Sequence, residues 1–415
     1  MKSWKWLSFM ILLLVLAIPL KAGQFQAGVG KADITPIMPT PLAGYGARNG
    51  GISTGVMDKI YSRAVVISDG GKKVALVSND LLLILADLKD EVSKNVADLK
   101  LDGIMLTSTH THSGPGGYTD IWIVKIAVLG PYVPEYRDYL VRQISRAIRE
   151  ADKNLAPAKF GSAIYQAPGY GHNRRHPEPD AITDPALGLI RIADLSGKPL
   201  ATLVNYAAHA TVLGPDNMKI SGDWVGVMER TLEEKEGAPA MFFAGPIGDQ
   251  GPNCQPAEKG LTCMDRLGTG LAGEVMNDLP KIALTASVQI TLMDKQVPMP
   301  ALELRKGCWK GIGWIMKSAG KKLAREQGEF MALELNDTLI YGVGAEAATG
   351  VGFELKAQHP DKKVMVFAHA NDWQGYLLTP PEYDFGGYEA CMSLYGREFE
   401  PYLVKQYREL TAGVK

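Results

Sequence analysis

Residues 107–117 read TSTHTHSGPGG: two histidines one residue apart, fenced by hydroxyl side chains and closed by a Gly-Pro-Gly-Gly turn. Imidazole serves as a metal ligand and as a general acid or base near neutral pH. Alternate residues of a strand point to one face, so His110 and His112 read as a pair aimed at one spot. A third histidine, His209, ends the apolar run ATLVNYAAH (201–209), and other apolar runs end on Asp80, Asp249, Glu346 and Asn371. Imidazole and carboxylate on rigid strand ends suit a borderline cation such as Zn²⁺, which in catalytic sites takes about three protein ligands and keeps a position for water. A lone histidine is more often a core or surface residue; three at strand ends argue together.

The runs that carry these residues are rich in Val, Ile, Leu, Phe and Tyr and read as strands: 72–80, 103–110, 201–209, 239–249, 338–346 and 362–371. Between them lie helical patterns. Over 133–154, Tyr136, Leu140, Ile144, Ala147 and Ile148 share one face, and 223–237 forms a second helix. The alternation predicts an α/β fold, a mixed and largely parallel sheet flanked by helices. The metal site is expected at the carboxyl ends of the strands, where open α/β sheets bind ligands. Residues 282–305 read as antiparallel or edge strands, so a small subdomain around 282–335 and a loop insertion both fit.

Of the 415 residues 46% are hydrophobic and 21% charged, enough to bury a large core. A net charge of -1 supplies no field to gather polyanions, so no nucleic-acid partner is expected, and a small molecule or lipid is. Lys2 and Lys5 precede an apolar run at 7–20, and Ala22 offers a small residue for cleavage. Residues 1–22 therefore read as an export signal ahead of a single domain over 23–415, secreted or periplasmic. The run falls short of the roughly 20 apolar residues a span needs, with an uncleaved anchor as the alternative. In an oxidising compartment Cys254 and Cys263, bracketing NCQPAEKGLTC, are the preferred disulfide pair, with buried thiols as the other reading. Cys308 and Cys391 stay unassigned.

Nine blocks carry a resemblance: GVGKADITP (28–36), STHTHSGPGGY (108–118), HNRRHPEP (172–179), NYAAHATVLG (205–214), SGDWVG (221–226), GDQGPN (248–253), GAEAATG (344–350), NDWQGYLLTPPEY (371–383) and YEACMSLYG (388–396). In this order they resemble the neutral/alkaline, non-lysosomal ceramidase family. The resemblance implies a zinc ion held by His110, His209, Glu346 and Tyr376. It makes His112 the active-site histidine facing the scissile amide, sets Arg174 and Tyr388 in the same pocket, and puts positions 173 (Asn173) and 251 at the substrate. The implied reaction is zinc-dependent hydrolysis of an N-acyl amide, ceramide or a related lipid. His112 and Tyr388 would then stabilise the oxyanion.

Departures from the pattern bear on the substrate. Gly251 stands where the family has a serine, AEAAT replaces the usual run after the Gly-Glu pair, and NRRHP adds Arg175 and His176. An added cation favours an acidic or carboxylated substrate. The family's longer chains carry a C-terminal β-sandwich, whereas this sequence ends about twenty residues after YEACMSLYG, which reads as a shortened form. Another N-acyl amide, an ester or a lactone is the alternative substrate, and a non-catalytic binding protein the alternative function. The intact ligand positions favour the enzyme. The stretch 306–325, with six basic residues beside Trp309 and Trp314, is compatible with an interfacial helix in peripheral contact with a membrane, but reads first as a surface helix packed by its Trp face.

Overall fold

The computed structural model describes residues 24–178, 180–258, 260–308, 318 and 325–414. The export segment and most of 306–325 lie outside the described residues. Eight strands make one sheet: β1 (Gln26–Asp33), β2 (Tyr61–Ser68), β3 (Lys73–Asn79), β4 (Gly103–Ser108), β5 (Ala156–Gln166), β6 (Ala186–Asp194), β7 (Pro199–Tyr206) and β8 (Ala240–Ala244). Their order is β8-β7-β6-β5-β1-β2-β3-β4. A second sheet runs β9 (Ile290–Pro298), β10 (Gln327–Leu335), β11 (Thr338–Val343), β12 (Lys363–Ala368). The 282–305 stretch thus supplies β9, the edge of a sheet that continues through β11 and β12.

The fold is α/β and the sheet mixed, but its balance corrects the largely parallel expectation: every pairing between β7 and β3 is antiparallel. Short turns explain this. Asp69 opens a Gly-Gly turn from β2 into β3, and Asp194 caps the turn from β6 into β7, accepting from the amides of Ser196 and Lys198. A tight turn can only reverse the chain, whereas a parallel pair needs a crossover. Helices provide three crossovers. α1 (Ala86–Asn95) separates β3 from β4; further on come α2 (Pro134–Lys153), then α3 (Asp223–Glu236) between β7 and β8, α4 (Leu261–Asp278), α5 (Thr349–Lys356) between β11 and β12, and α6 (Phe399–Leu410). Within these two sheets the pairs β3/β4, β7/β8 and β11/β12 are the parallel ones.

One apolar cluster fills the space between the two sheets, with Phe243 of β8 stacked on Phe367 of β12 at 4.3 Å. α2 buries the face expected of it, Tyr136, Leu140, Ile144, Ala147 and Ile148, against β1 and β2. A Cβ at Gly28 or Gly30 would lie 2.1 Å from the carbonyl oxygen of Ala151 or Ala147, so the GVGK segment stays bare where the helix crosses it.

The large sheet curls until its far ends meet. Ser78 Oγ on β3 donates to the Phe242 carbonyl on β8 at 2.5 Å. Beside this seam the buried guanidinium of Arg63 pairs with Asp80 (3.0 Å), Glu229 (2.8 Å) and Glu233 (3.0 Å). Disulfides join Cys254 to Cys263 and Cys308 to Cys391. Among the described residues no helix is long and apolar enough to cross a membrane.

Candidate metal centre

The carboxyl ends of β4, β7 and β11 come together, and the chemistry gathers there. His110 follows β4, His209 follows β7 and Glu346 follows β11. The two histidines of THTH do not alternate on one strand as expected: β4 stops at Ser108, and His110 takes a left-handed backbone (φ 60). The rings still converge, with the His112 and His110 Nε2 atoms 3.1 Å apart.

Backbone carbonyls orient the ring nitrogens. His110 Nδ1 lies 2.8 Å from the Leu82 carbonyl oxygen and His209 Nδ1 2.9 Å from that of Gln250. A carbonyl only accepts, so each Nδ1 carries the proton and each Nε2 presents a lone pair. Both lone pairs face Glu346, whose Oε1 is 2.8 Å from His209 Nε2 and 3.5 Å from His110 Nε2. Trp224 of α3 donates its indole N–H to the His209 carbonyl, fixing that loop from behind. Glu346 pairs in register with Tyr376 in a short parallel ladder, which brings the phenol alongside.

Burial and neighbouring charge set the protonation. Burial holds His209 down to about 4, with Arg174 adding to it. Burial, then His110 and His209, keep His112 well below the ordinary imidazole value. Burial alone would favour the neutral acid of Glu346, but the neighbouring His110 and His209 outweigh it and hold it well below the carboxylate range. The cluster is thus an anionic carboxylate facing the two imidazoles. Two nitrogen lone pairs, each with its outer hydrogen bond made, and a carboxylate oxygen form a set that fits a metal ion of the zinc type.

Arg174 donates to the Tyr376 hydroxyl and to the Gly248 carbonyl, both at 2.9 Å, and stands 3.8 Å from Glu346. Tyr388, 59% exposed, crosses Tyr376 edge-on at 5.8 Å. An apolar cavity opens between these groups and Leu82, Leu83, Val124 and Trp373. The structure therefore brings together His110, His112, His209, Glu346, Tyr376, Arg174 and Tyr388.

Other expected residues make contacts within the fold. Asn173 spends its amide on its own loop, accepting from Arg175 and His176 and donating to Ile182. Gly251 lies across from His172 in a short antiparallel pair. Asp80 serves Arg63, Asp249 caps α5 through Thr349, and Asn371 closes the edge of β4 at Leu106. Arg175 corrects the expectation of an acidic substrate: it is buried, and Glu382, Glu389 and two carbonyls consume its donors. Its charge braces the segment that carries Tyr388.

His369, after β12, went unrecognised in the sequence. It is fully buried and stacks on His110 at 4.2 Å with 15° between the ring planes. Its signal in the sequence is a histidine at a strand end in VFAHAND, two residues before Asn371.

Residues 25–271 match the family model described as the N-terminal part of neutral/alkaline non-lysosomal ceramidase. Neutral ceramidase A of Dictyostelium discoideum is 31% identical over 271 residues, 58% of this chain and 37% of that relative. Neutral ceramidase of Pseudomonas aeruginosa is 27% identical over 58% of this chain and 39% of its own length. The chain thus spans well under half of these relatives in sequence. The crystal structure of the Pseudomonas aeruginosa neutral ceramidase superposes with a TM-score of 0.79 at 20% identity, covering 94% of this chain and 74% of that one. That likeness shows a shared fold. With the family model matched across more than half of its length, the chain belongs to the neutral/alkaline non-lysosomal ceramidase family.

Proposed function

We propose that the protein is an exported, zinc-dependent amidohydrolase that cleaves the amide of ceramide or a related N-acyl lipid. One observation carries this reading: the Nε2 lone pairs of His110 and His209, fixed by their Nδ1 bonds to Leu82 and Gln250, meet the Glu346 carboxylate beside an apolar cavity. His110, His209, Glu346 and Tyr376 would hold the ion. Zn²⁺ at such a position lowers the pKa of water toward about 7 and polarises a carbonyl. His112, kept neutral, stands where it can hold or pass a proton at Nε2 to the leaving amine. Arg174 fixes the Tyr376 phenol, and the Tyr388 hydroxyl is placed to donate to a developing oxyanion. The apolar wall seats an acyl chain and excludes water.

Trp122 and Ile126 are exposed on a short segment whose other face, through Ile123, Val124, Ala127 and Val128, lines the cavity. That arrangement supports peripheral contact with a lipid surface. The two disulfides favour an oxidising compartment. Elemental analysis of the purified chain, with fatty-acid release from ceramide and from a simple N-acyl amide, tests the proposal. A protein without metal after growth in zinc-replete medium, or with metal and no hydrolysis of any N-acyl substrate, ends it.

A further inference from the structure

The His369 ring has no hydrogen-bond partner at either nitrogen and no solvent exposure. Buried polar atoms in native proteins are nearly always satisfied, and each exception calls for an explanation. A hydrocarbon side chain would fill this place without that penalty.

Ligand atoms of His369, His110 and Glu346 all lie within 4.8 Å of one another, but the ring planes oppose the simplest explanation, that His369 is another ligand of the same ion. An imidazole lone pair lies in its ring plane, and the His369 and His110 planes are nearly parallel with centroids 4.2 Å apart. An ion in the plane of His110 lies off the plane of His369. What His369 offers to His110 is its face.

A further observation points the same way. Both residues of the stack hold left-handed backbones, His369 at φ 54 and His110 at φ 60. Such conformations are sparsely populated and gather at functional sites.

We propose that His369 is a positioning residue for the metal centre. It holds the His110 ring in the plane that aims Nε2 at Glu346 and His209. It also stabilises the partial positive charge that this ring acquires when it binds a cation, as aromatic faces do for cations generally. The inference rests on the metal reading above and names a residue beyond the four ligands.

The test is competition for Zn²⁺ between a chromophoric chelator and the full mature chain, with melting of the metal-free protein measured in parallel. His369→Leu, which removes the face, is expected to weaken zinc affinity about 10–100-fold, the range for groups that orient a ligand. The metal-free variant should melt no lower than the parent, since two unpartnered nitrogens are gone. His369→Phe, which keeps a face, should recover part of the affinity. Unchanged affinity in His369→Leu overturns the proposal, whether or not stability falls, because a packing role alone would act on melting. Phe as weak as Leu overturns it too, since the face would then not be the agent. Failure of the parent chain to bind zinc sinks the metal reading itself and is distinguishable from both results.

Discussion

Replacing Gly251 by serine asks whether one missing hydroxyl sets the substrate. A Cβ built at Gly251 meets the His172 ring, 2.8 Å from Cε1 and 3.2 Å from Nε2, its three nearest atoms all belonging to that ring. His172 is exposed, so its ring can swing aside. The backbone at Gly251 is not among the left-handed glycines, so a side chain there carries no conformational strain. The substitution should leave the fold intact and add one hydrogen bond to a substrate hydroxyl, worth about 0.5–1.5 kcal/mol. That corresponds to about a 2- to 13-fold gain in kcat/KM. The assay compares the parent and Gly251→Ser on ceramide and on a simple N-acyl amide, with the gain expected on ceramide alone. Efficient ceramide turnover by the parent, unchanged by the serine, would refute the reasoning, as would an equal loss on both substrates, which would mean that the turn had been distorted.

The purified chain should hold about one zinc, since structural donors for four-coordination are present; His209→Ala should lose metal and turnover together, whereas His112→Ala should keep metal and lose about 10²–10³ in kcat. Equal metal loss in both variants would overturn that division. Gly30→Ala drives a methyl into the Ala147 carbonyl at 2.1 Å and should cost about 1–3 kcal/mol or more, read as a lower melting temperature. Glu400 on α6 is pushed up to about 8 by burial and by Glu354, from a usual 4.5. Between those values only the folded state keeps the proton, so stability falls as pH rises through that window and levels off above it. Glu400→Gln should flatten the difference between melts at pH 5 and pH 9; an unaltered slope would count against the shift.

The sequence was most legible where strands are parallel. The runs ending near His110, His209, Asp249, Glu346 and Asn371 are β4, β7, β8, β11 and β12, each a member of a parallel pair with its polar residue just past its carboxyl end. β1, β2, β5 and β6 escaped notice because they end on nothing chemically pointed, and β1 is interrupted by Gly28 and Gly30. Without them the antiparallel middle of the sheet could not be foreseen. Motif residues alone also could not reveal that Arg175 is consumed by ion pairs, since its partners Glu382 and Glu389 lie more than 200 positions away. His369 illustrates the same limit, for what distinguishes it is a face-to-face contact across 259 positions of chain.

The curled sheet gives the centre a mechanical meaning. His110 leaves one edge strand, β4, and His209 leaves β7, next to the opposite edge. An ion gripped by both would act as a clasp across the seam that Ser78 and Phe242 close by a single hydrogen bond. Loading and holding the ring shut then become one event, adding about 2.7 kcal/mol to folding when free metal exceeds its dissociation constant a hundredfold. Stripping the ion would do more than silence the chemistry: it would leave the seam as the place where the barrel-like sheet first begins to unroll.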